Sequence, residues 1–275
     1  MSRDLKVQKV SKWFDGSAGG QVLALDRATL SLPAGGFGAL IGPSGCGKST
    51  LLRMVADIVP PSSGTILVGD EPPSAARNAH AIGFVFQSAT LLPWRSVRQN
   101  IALPLAIVGR RSNRIAGRSP DELIELVNLK GFEDALPFHL SGGMQQRVSI
   151  ARALVLQPEI LLLDEPFGAL DEITRQRMNL ELLRIWNESG TTALLVTHSI
   201  GEAVFMADTV FVMSPRPGMV SLTVEVPLPR PRTLQMMATQ AFFDTVNRVR
   251  EGLFGADAHV PSAEDQPSIK LVAAQ

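Results

Sequence analysis

The sequence predicts an α/β fold: a mostly parallel sheet, an antiparallel β part at its N-terminal end, and an inserted helical subdomain. Three observations carry this. Residues 37–41 (FGALI) and 160–163 (ILLL) are apolar at every position, as strands covered on both faces are. From residue 160 to residue 213, strand-like runs alternate with helical ones, the pattern of a doubly wound sheet. Between residues 88 and 155 strand character gives way to helical periodicity.

In order, residues 5–10 alternate apolar and polar positions and predict a half-buried strand. Trp13 and Phe14 follow, then a Gly-rich turn over 16–20, then a strand-pair region over 22–32 ended by Pro33. The strand at 37–41 leads into a glycine-rich loop and a helix over 49–58 with Leu51, Leu52 and Val55 on one face. A turn and strand span 62–68, a Pro-rich loop 71–74, and a strand 81–86 with Gln87 at its end. The LLPW stretch at 91–94 reads as loop, and 97–108 as a helix that Pro104 kinks or breaks. Residues 109–117 are basic and polar, as a surface loop would be. Ser119 and Glu122 form a capping box around Pro120 at the first helical position, with Leu123, Ile124 and Val127 as the buried stripe.

The strand at 160–163 is followed by an amphipathic helix over 173–186 that Gly190 stops, a strand over 192–197, a helix over 200–206 and a strand over 209–213. Pro215, Pro217, Pro227, Pro229 and Pro231 then alternate with strand-like residues. Phe242, Phe243, Val246, Val249 and Leu253 recur at helical spacing, a stripe expected to pack on the parent domain. Weak periodicity over 255–275 predicts a mobile end. The expected organisation is a core of residues 1–87 and 156–215, a helical subdomain of residues 88–155, and a C-terminal extension of residues 216–275. No internal repeat is visible.

Composition bounds the function. The 275 residues are 45% hydrophobic with zero formal net charge, which weighs against a nucleic-acid partner needing a basic face. A single cysteine, Cys46, excludes an intrachain disulfide and reads as a small filler of a tight loop. The N-terminus lacks the apolar core of a signal peptide. No run approaches the ~18 apolar residues of a membrane span, so any pore would belong to other chains.

The chemistry centres on GPSGCGKS, residues 42–49, the G-x-x-x-x-G-K-S pattern of a P-loop NTPase with a RecA-like core. Gly42, Gly45 and Gly47 let the backbone curl so that successive N–H groups face inward as an anion nest. Lys48 is placed to reach the β- and γ-phosphates, and Ser49 to offer its hydroxyl to Mg²⁺. The strand before and helix after put a helix N-terminus at the phosphates. Gly42, Pro43, Ser44, Gly45, Cys46, Gly47, Lys48, Ser49 and Thr50 are therefore the expected cradle for a nucleotide's phosphates. The strand of ILLLDE delivers Asp164 and Glu165 to its carboxyl end, where ligands sit in open α/β sheets. Asp164 is expected to hold Mg²⁺ through water, and Glu165 to polarise the attacking water as general base.

With LSGGMQQR at residues 140–147, the chain resembles the ATP-binding cassette ATPases of ABC transporters; Met144 stands where that pattern usually has glutamine. The resemblance covers about residues 5–215. It implies that the nucleotide is ATP, and that Ser141, Gly142 and Gly143, at a helix N-terminus, bind the γ-phosphate of a nucleotide held by a second cassette, most simply a second copy of this chain. It implies that Phe14 stacks on adenine, with Trp13 as the rival and core packing open to either. Gln87 would touch Mg²⁺ and link to the helical insert, Asp171 would lie in the loop crossing between subunits, and His198 would contact the γ-phosphate.

Residues 88–105 and the tail stretches 214–220 and 227–232 look like the nitrate, sulfonate and taurine importer group. That resemblance implies transmembrane permease subunits, an extracytoplasmic solute-binding protein acting through them, and a peripheral place on the cytoplasmic face of the inner membrane. An exporter cassette and a soluble ABC ATPase are the alternatives. The latter usually carries a coiled coil or two cassettes in one chain, which this chain lacks.

Overall fold

The structure is a computed structural model that describes residues 2–15, 20–109 and 117–255. Most of the turn expected at 16–20, most of the basic loop expected at 109–117 and nearly all of the terminal stretch at 255–275 lie outside the described residues.

Two sheets organise the chain. The smaller is antiparallel, in the order β2-β1-β4, with β1 at Leu5–Asp15, β2 at Gln21–Leu32 and β4 at Ser63–Val68. Residues 22–32 therefore form one long strand rather than a strand pair. Register shifts between Val7 and Trp13 let β1 and β2 stay paired while they bend. The larger sheet runs β5-β6-β7-β3-β8-β9, with β3 at Phe37–Ile41, β5 at Ile82–Val85, β6 at Ile160–Asp164, β7 at Thr192–Val196, β8 at Thr209–Met213 and β9 at Val220–Glu225. All its pairings are parallel except β8 with β9.

The apolar runs follow from what covers this sheet. Phe37, Ala39, Leu161, Leu163 and Leu195 pack on one face with the helices, while Leu40, Leu162, Leu194 and Phe211 pack on the other against the small sheet. Alternate residues of one strand thus enter different cores, and polar positions have nowhere to point.

Helix α1 spans Lys48–Val55. The Pro-rich stretch expected as loop begins helix α2, Pro73–Asn78, because proline at the first helical position has its φ already set. The helix expected over 97–108 is broken into α3, Val97–Ile101, and α4, Leu103–Gly109; Pro104 brings no N–H and its ring crowds the preceding turn. A reciprocal capping box is formed by Ser96 and Gln99 at the start of α3. At α5, Pro120–Leu126, Ser119 Oγ instead accepts from the Asp121 N–H at 3.3 Å, so the cap falls one residue short of the expected Glu122.

Helix α6 is Gly142–Leu154, α7 Glu172–Ser189 and α8 Ile200–Met206. Gly190 closes α7 in the left-handed conformation at φ 65°. Buried residues of α3, α5 and α6 join those of the sheet's helix-covered face in one continuous cluster. At the C-terminal end, β9 adds the sixth strand and α9, Gln240–Phe254, lies across β8 and β9. Phe242 and Val249 are buried there, with Val246 and Leu253 packed beside them. Phe243 is half exposed, because it lies about 100° around the helix from Phe242.

Candidate functional site

The carboxyl ends of β3, β5, β6 and β7 meet at one edge of the large sheet, and nearly every catalytic or metal-ligating residue expected from the sequence sits there. β3 ends at Ile41, and the chain curls through the loop before α1 begins at Lys48. Gly47 has φ 108°, and a Cβ on it would lie 2.6 Å from Leu25 Cδ2. Only glycine lets the loop close there. The helix start at Gly47 carries no side-chain cap, which leaves first-turn N–H groups for an anion. Lys48 is 4% exposed, and its Nζ donates to Gly42 O at 2.8 Å and Pro43 O at 3.0 Å, so its cation is held inside the loop. Cys46 is buried beneath the loop, in keeping with a filler role.

Asp164 ends β6, and its Oδ1 accepts from Ser49 Oγ at 2.7 Å. Glu165 is next, at φ 48°, a conformation that is uncommon for a residue with a Cβ. Its N–H donates to Val196 O at 3.0 Å, which turns the carboxylate over the loop. Glu165 Oε1 lies 2.6 Å from His198 Nε2, and Gln87 Nε2 donates to Oε2 at 3.4 Å. Three neighbouring strands thus supply Gln87, the acid pair and His198.

The cavity above this edge measures about 470 Å³. It is lined by Ser44, Gly45, Gly47, Lys48, Ser49 and Thr50 of the loop and helix start, by Glu165 and His198 beyond β6 and β7, and by Phe14, Val22 and Ala24 from the small sheet. Phe14 and not Trp13 is in the lining, although both rings are exposed.

Ser141, Gly142, Gly143 and Asp171 are absent from this lining. Ser141 caps α6 by accepting from the Met144 N–H at 3.3 Å, and Asp171 caps α7 by accepting from the Thr174 N–H at 3.0 Å. That backbone N–H holds the Asp171 carboxyl below its ordinary range. The two caps share a surface: a Cβ on Gly142 would lie 4.0 Å from Leu170, and one on Gly143 4.0 Å from Thr174.

Sequence reasoning missed several supporting residues. Gln146, buried in α6, donates to Phe86 O at 3.1 Å and Gln87 O at 3.4 Å, and so ties the helix that starts at Ser141 to Gln87. Arg152 donates to Ala89 O at 2.7 Å and Thr90 O at 3.0 Å, and fully buried Asn100 to Arg95 O at 2.8 Å and Leu92 O at 3.2 Å. These two fix the loop after Gln87, on which Trp94 stands 71% exposed. Glu202 of α8 is buried beside Asn179 and Thr197, and burial raises its carboxyl above the ordinary range. Their polarity was visible in the chain, but nothing local marked which distant groups they meet.

A parallel sheet whose strand β3 runs through a G-x-x-x-x-G-K-S loop into a helix, with a lysine held in the loop and a serine bonded to the acid that ends a neighbouring strand, has the architecture of the P-loop α/β class. Within that class, the chain belongs to the ABC transporter family, whose model matches residues 25–168. It is 44% identical over 252 residues to the nitrate import ATP-binding protein NrtC of Synechococcus elongatus, a match covering 90% of this chain and 38% of that protein. It is 48% identical over 219 residues to the taurine import ATP-binding protein TauB of Rhizobium johnstonii, covering 78% of this chain and 81% of the relative. A dimeric ATP-binding cassette solved in a post-hydrolysis state with ADP and Pi superposes with a TM-score of 0.69 at 29% identity, over 82% of this chain and all of the other. The chain is accordingly an ATP-hydrolysing cassette. No helix among the described residues is long and apolar enough to cross a membrane.

Proposed function

We propose that this chain is the ATPase subunit of an importer for a small anion or sulfonate, of the kind nitrate and taurine represent. The observation that carries the reading is similarity to import ATPases for both solutes over 78–90% of the chain. In this reading the protein is peripheral, on the cytoplasmic face of the membrane. Separate permease subunits form the pore, and an extracytoplasmic solute-binding protein acts through them. Exposed Trp94, on a loop anchored by Asn100 and Arg152, supports a docking edge for a permease helix.

Two copies would work head to tail. Ser141, Gly142 and Asp171 are exposed outside the cavity, with Gly143 buried behind them, while the cavity that Glu165 and His198 line is open to solvent. A second copy could close it by presenting that surface to the γ-phosphate, completing two sites per pair. In each site Lys48 neutralises phosphate charge, Phe14 stacks on adenine, Glu165 takes the proton of the attacking water, and His198 and Gln87 hold that carboxylate in place. The oxygen donors Ser49, Asp164 and Gln87 suit Mg²⁺, a hard cation; when bound it supplies charge neutralisation on the transferred phosphoryl group.

Co-purification from membranes, followed by uptake assays on the recovered complex, tests this. Recovery with a permease and ATP-driven uptake of nitrate, taurine or an alkanesulfonate is expected. A soluble cassette with no membrane partner, or a complex that exports, would overturn it.

A further inference from the structure

The cavity is also lined by a residue that the phosphate-loop motif does not include. After β8 the chain turns through residues 214–218. Ser214 Oγ accepts from the Met219 N–H at 3.1 Å and closes this turn on itself. Gly218 then pairs with β2, its N–H donating to Ala24 O at 3.0 Å and its carbonyl accepting from the Asp26 N–H at 2.9 Å. The approach to the phosphate loop is so close that a Cβ on Gly218 would lie 1.8 Å from Cys46 O. The turn is thus clamped between β2 and the back of the loop, and its tip is Arg216. Arg216 is among the residues that line the cavity. Among the described residues its guanidinium has no carboxylate within ion-pair distance, whereas Arg230 and Arg232, further along the same segment, pair with Asp208.

We propose that Arg216 is a second nucleotide-binding cation, which holds the phosphate nearest the ribose. Strand order gives the reason. β6 and β7, which carry Glu165 and His198, lie on one flank of β3, and β8, which carries Arg216, lies on the other. Arg216 therefore approaches from the side away from the bond that breaks. Its turn is hydrogen-bonded to β2, which supplies Val22 and Ala24 to the lining and pairs Val22 with Phe14, the residue that the proposed function, on which this inference rests, sets against adenine. A guanidinium there can give two parallel N–H donors to a phosphate, a geometry that an ammonium does not match. The contact is present for ATP and ADP alike, so it adds binding without favouring the transition state. Arg216 is a binding residue on this account and takes no part in hydrolysis.

The test compares Arg216→Ala and Arg216→Lys with wild type in the full chain, with thermal unfolding to confirm the fold. Dissociation constants are measured for ATP, ADP and adenosine, alongside steady-state hydrolysis. Arg216→Ala should raise Kd for ATP and ADP by the same factor, about tenfold, the scale of one charge-assisted hydrogen bond. KM should rise in step, kcat should stay within about twofold, adenosine binding should be unchanged, and lysine should recover part of the loss. Unchanged Kd for both nucleotides, a loss confined to ATP, an equal loss for adenosine, or a fall in kcat at constant KM would each overturn the proposal. If Arg216→Ala does not fold, the lysine variant with its three nucleotide constants decides alone, by the same pattern at smaller amplitude.

Discussion

Replacing Glu165 with glutamine removes the charge that the proposed chemistry depends on and little else. The glutamine oxygen can still accept from His198 Nε2, now 2.6 Å from the carboxylate, and Gln87, at 3.4 Å, can rotate its amide to face the new NH₂ group. Asp164 keeps its 2.7 Å hydrogen bond to Ser49, so nucleotide binding should survive. Loss of a general base costs ~10²–10⁴ in rate, about 2.7–5.5 kcal/mol on the barrier. Removing a side chain that merely positioned the histidine would cost far less in this conservative exchange. Phosphate release at saturating ATP measures kcat, and equilibrium titration measures Kd. We expect kcat to fall by at least a hundredfold with Kd within about threefold. Because bound ATP would bridge two copies, Glu165→Gln should also shift from monomer to dimer in size-exclusion chromatography with ATP and Mg²⁺ but not with ADP. Adding Ser141→Arg should abolish the shift. A Glu165→Gln protein with wild-type kcat would refute the base assignment. One that binds ATP yet stays monomeric with its permease subunits present would refute the bridging geometry.

Lys48→Ala removes the cation held by Gly42 O and Pro43 O, so ATP binding and hydrolysis should be lost while circular dichroism is unchanged; near-normal hydrolysis would count against the loop assignment. Trp94→Ala should leave the ATPase of the isolated cassette intact and weaken its recovery with membranes, since the ring is exposed and supports no core. Burial raises the folded-state pKa of Glu202 above its unfolded value, so its contribution to stability is full below the unfolded value and is lost as pH rises through the folded one. Glu202→Gln cannot ionise: it should unfold a few degrees higher than wild type near pH 8, with the gain shrinking towards pH 4, and a pH-independent difference would contradict the linkage.

The sequence by itself determines whatever rests on neighbours along the chain. GPSGCGKS reads as a phosphate-binding loop from contiguous residues, and FGALI and ILLL show strands covered on both faces because no position in them is polar. The bend at Pro104 is legible for the same reason, since one residue both removes a donor and crowds its own turn. Short-range reading fails where the deciding partner is distant. Residues 22–32 look divisible, yet pairing with β1 makes them one strand. Phe243 has the right spacing but the wrong side of α9. Only the tertiary structure decides that Gln146 reaches the backbone at Gln87, that Glu202 is buried beside Asn179, and that Arg216 lines the same cavity as a loop some 170 positions earlier. These contacts are set by strand order, with β3 lying between β7 and β8. A strand's hydrophobic pattern reports that both its faces are covered and carries no record of which strands flank it.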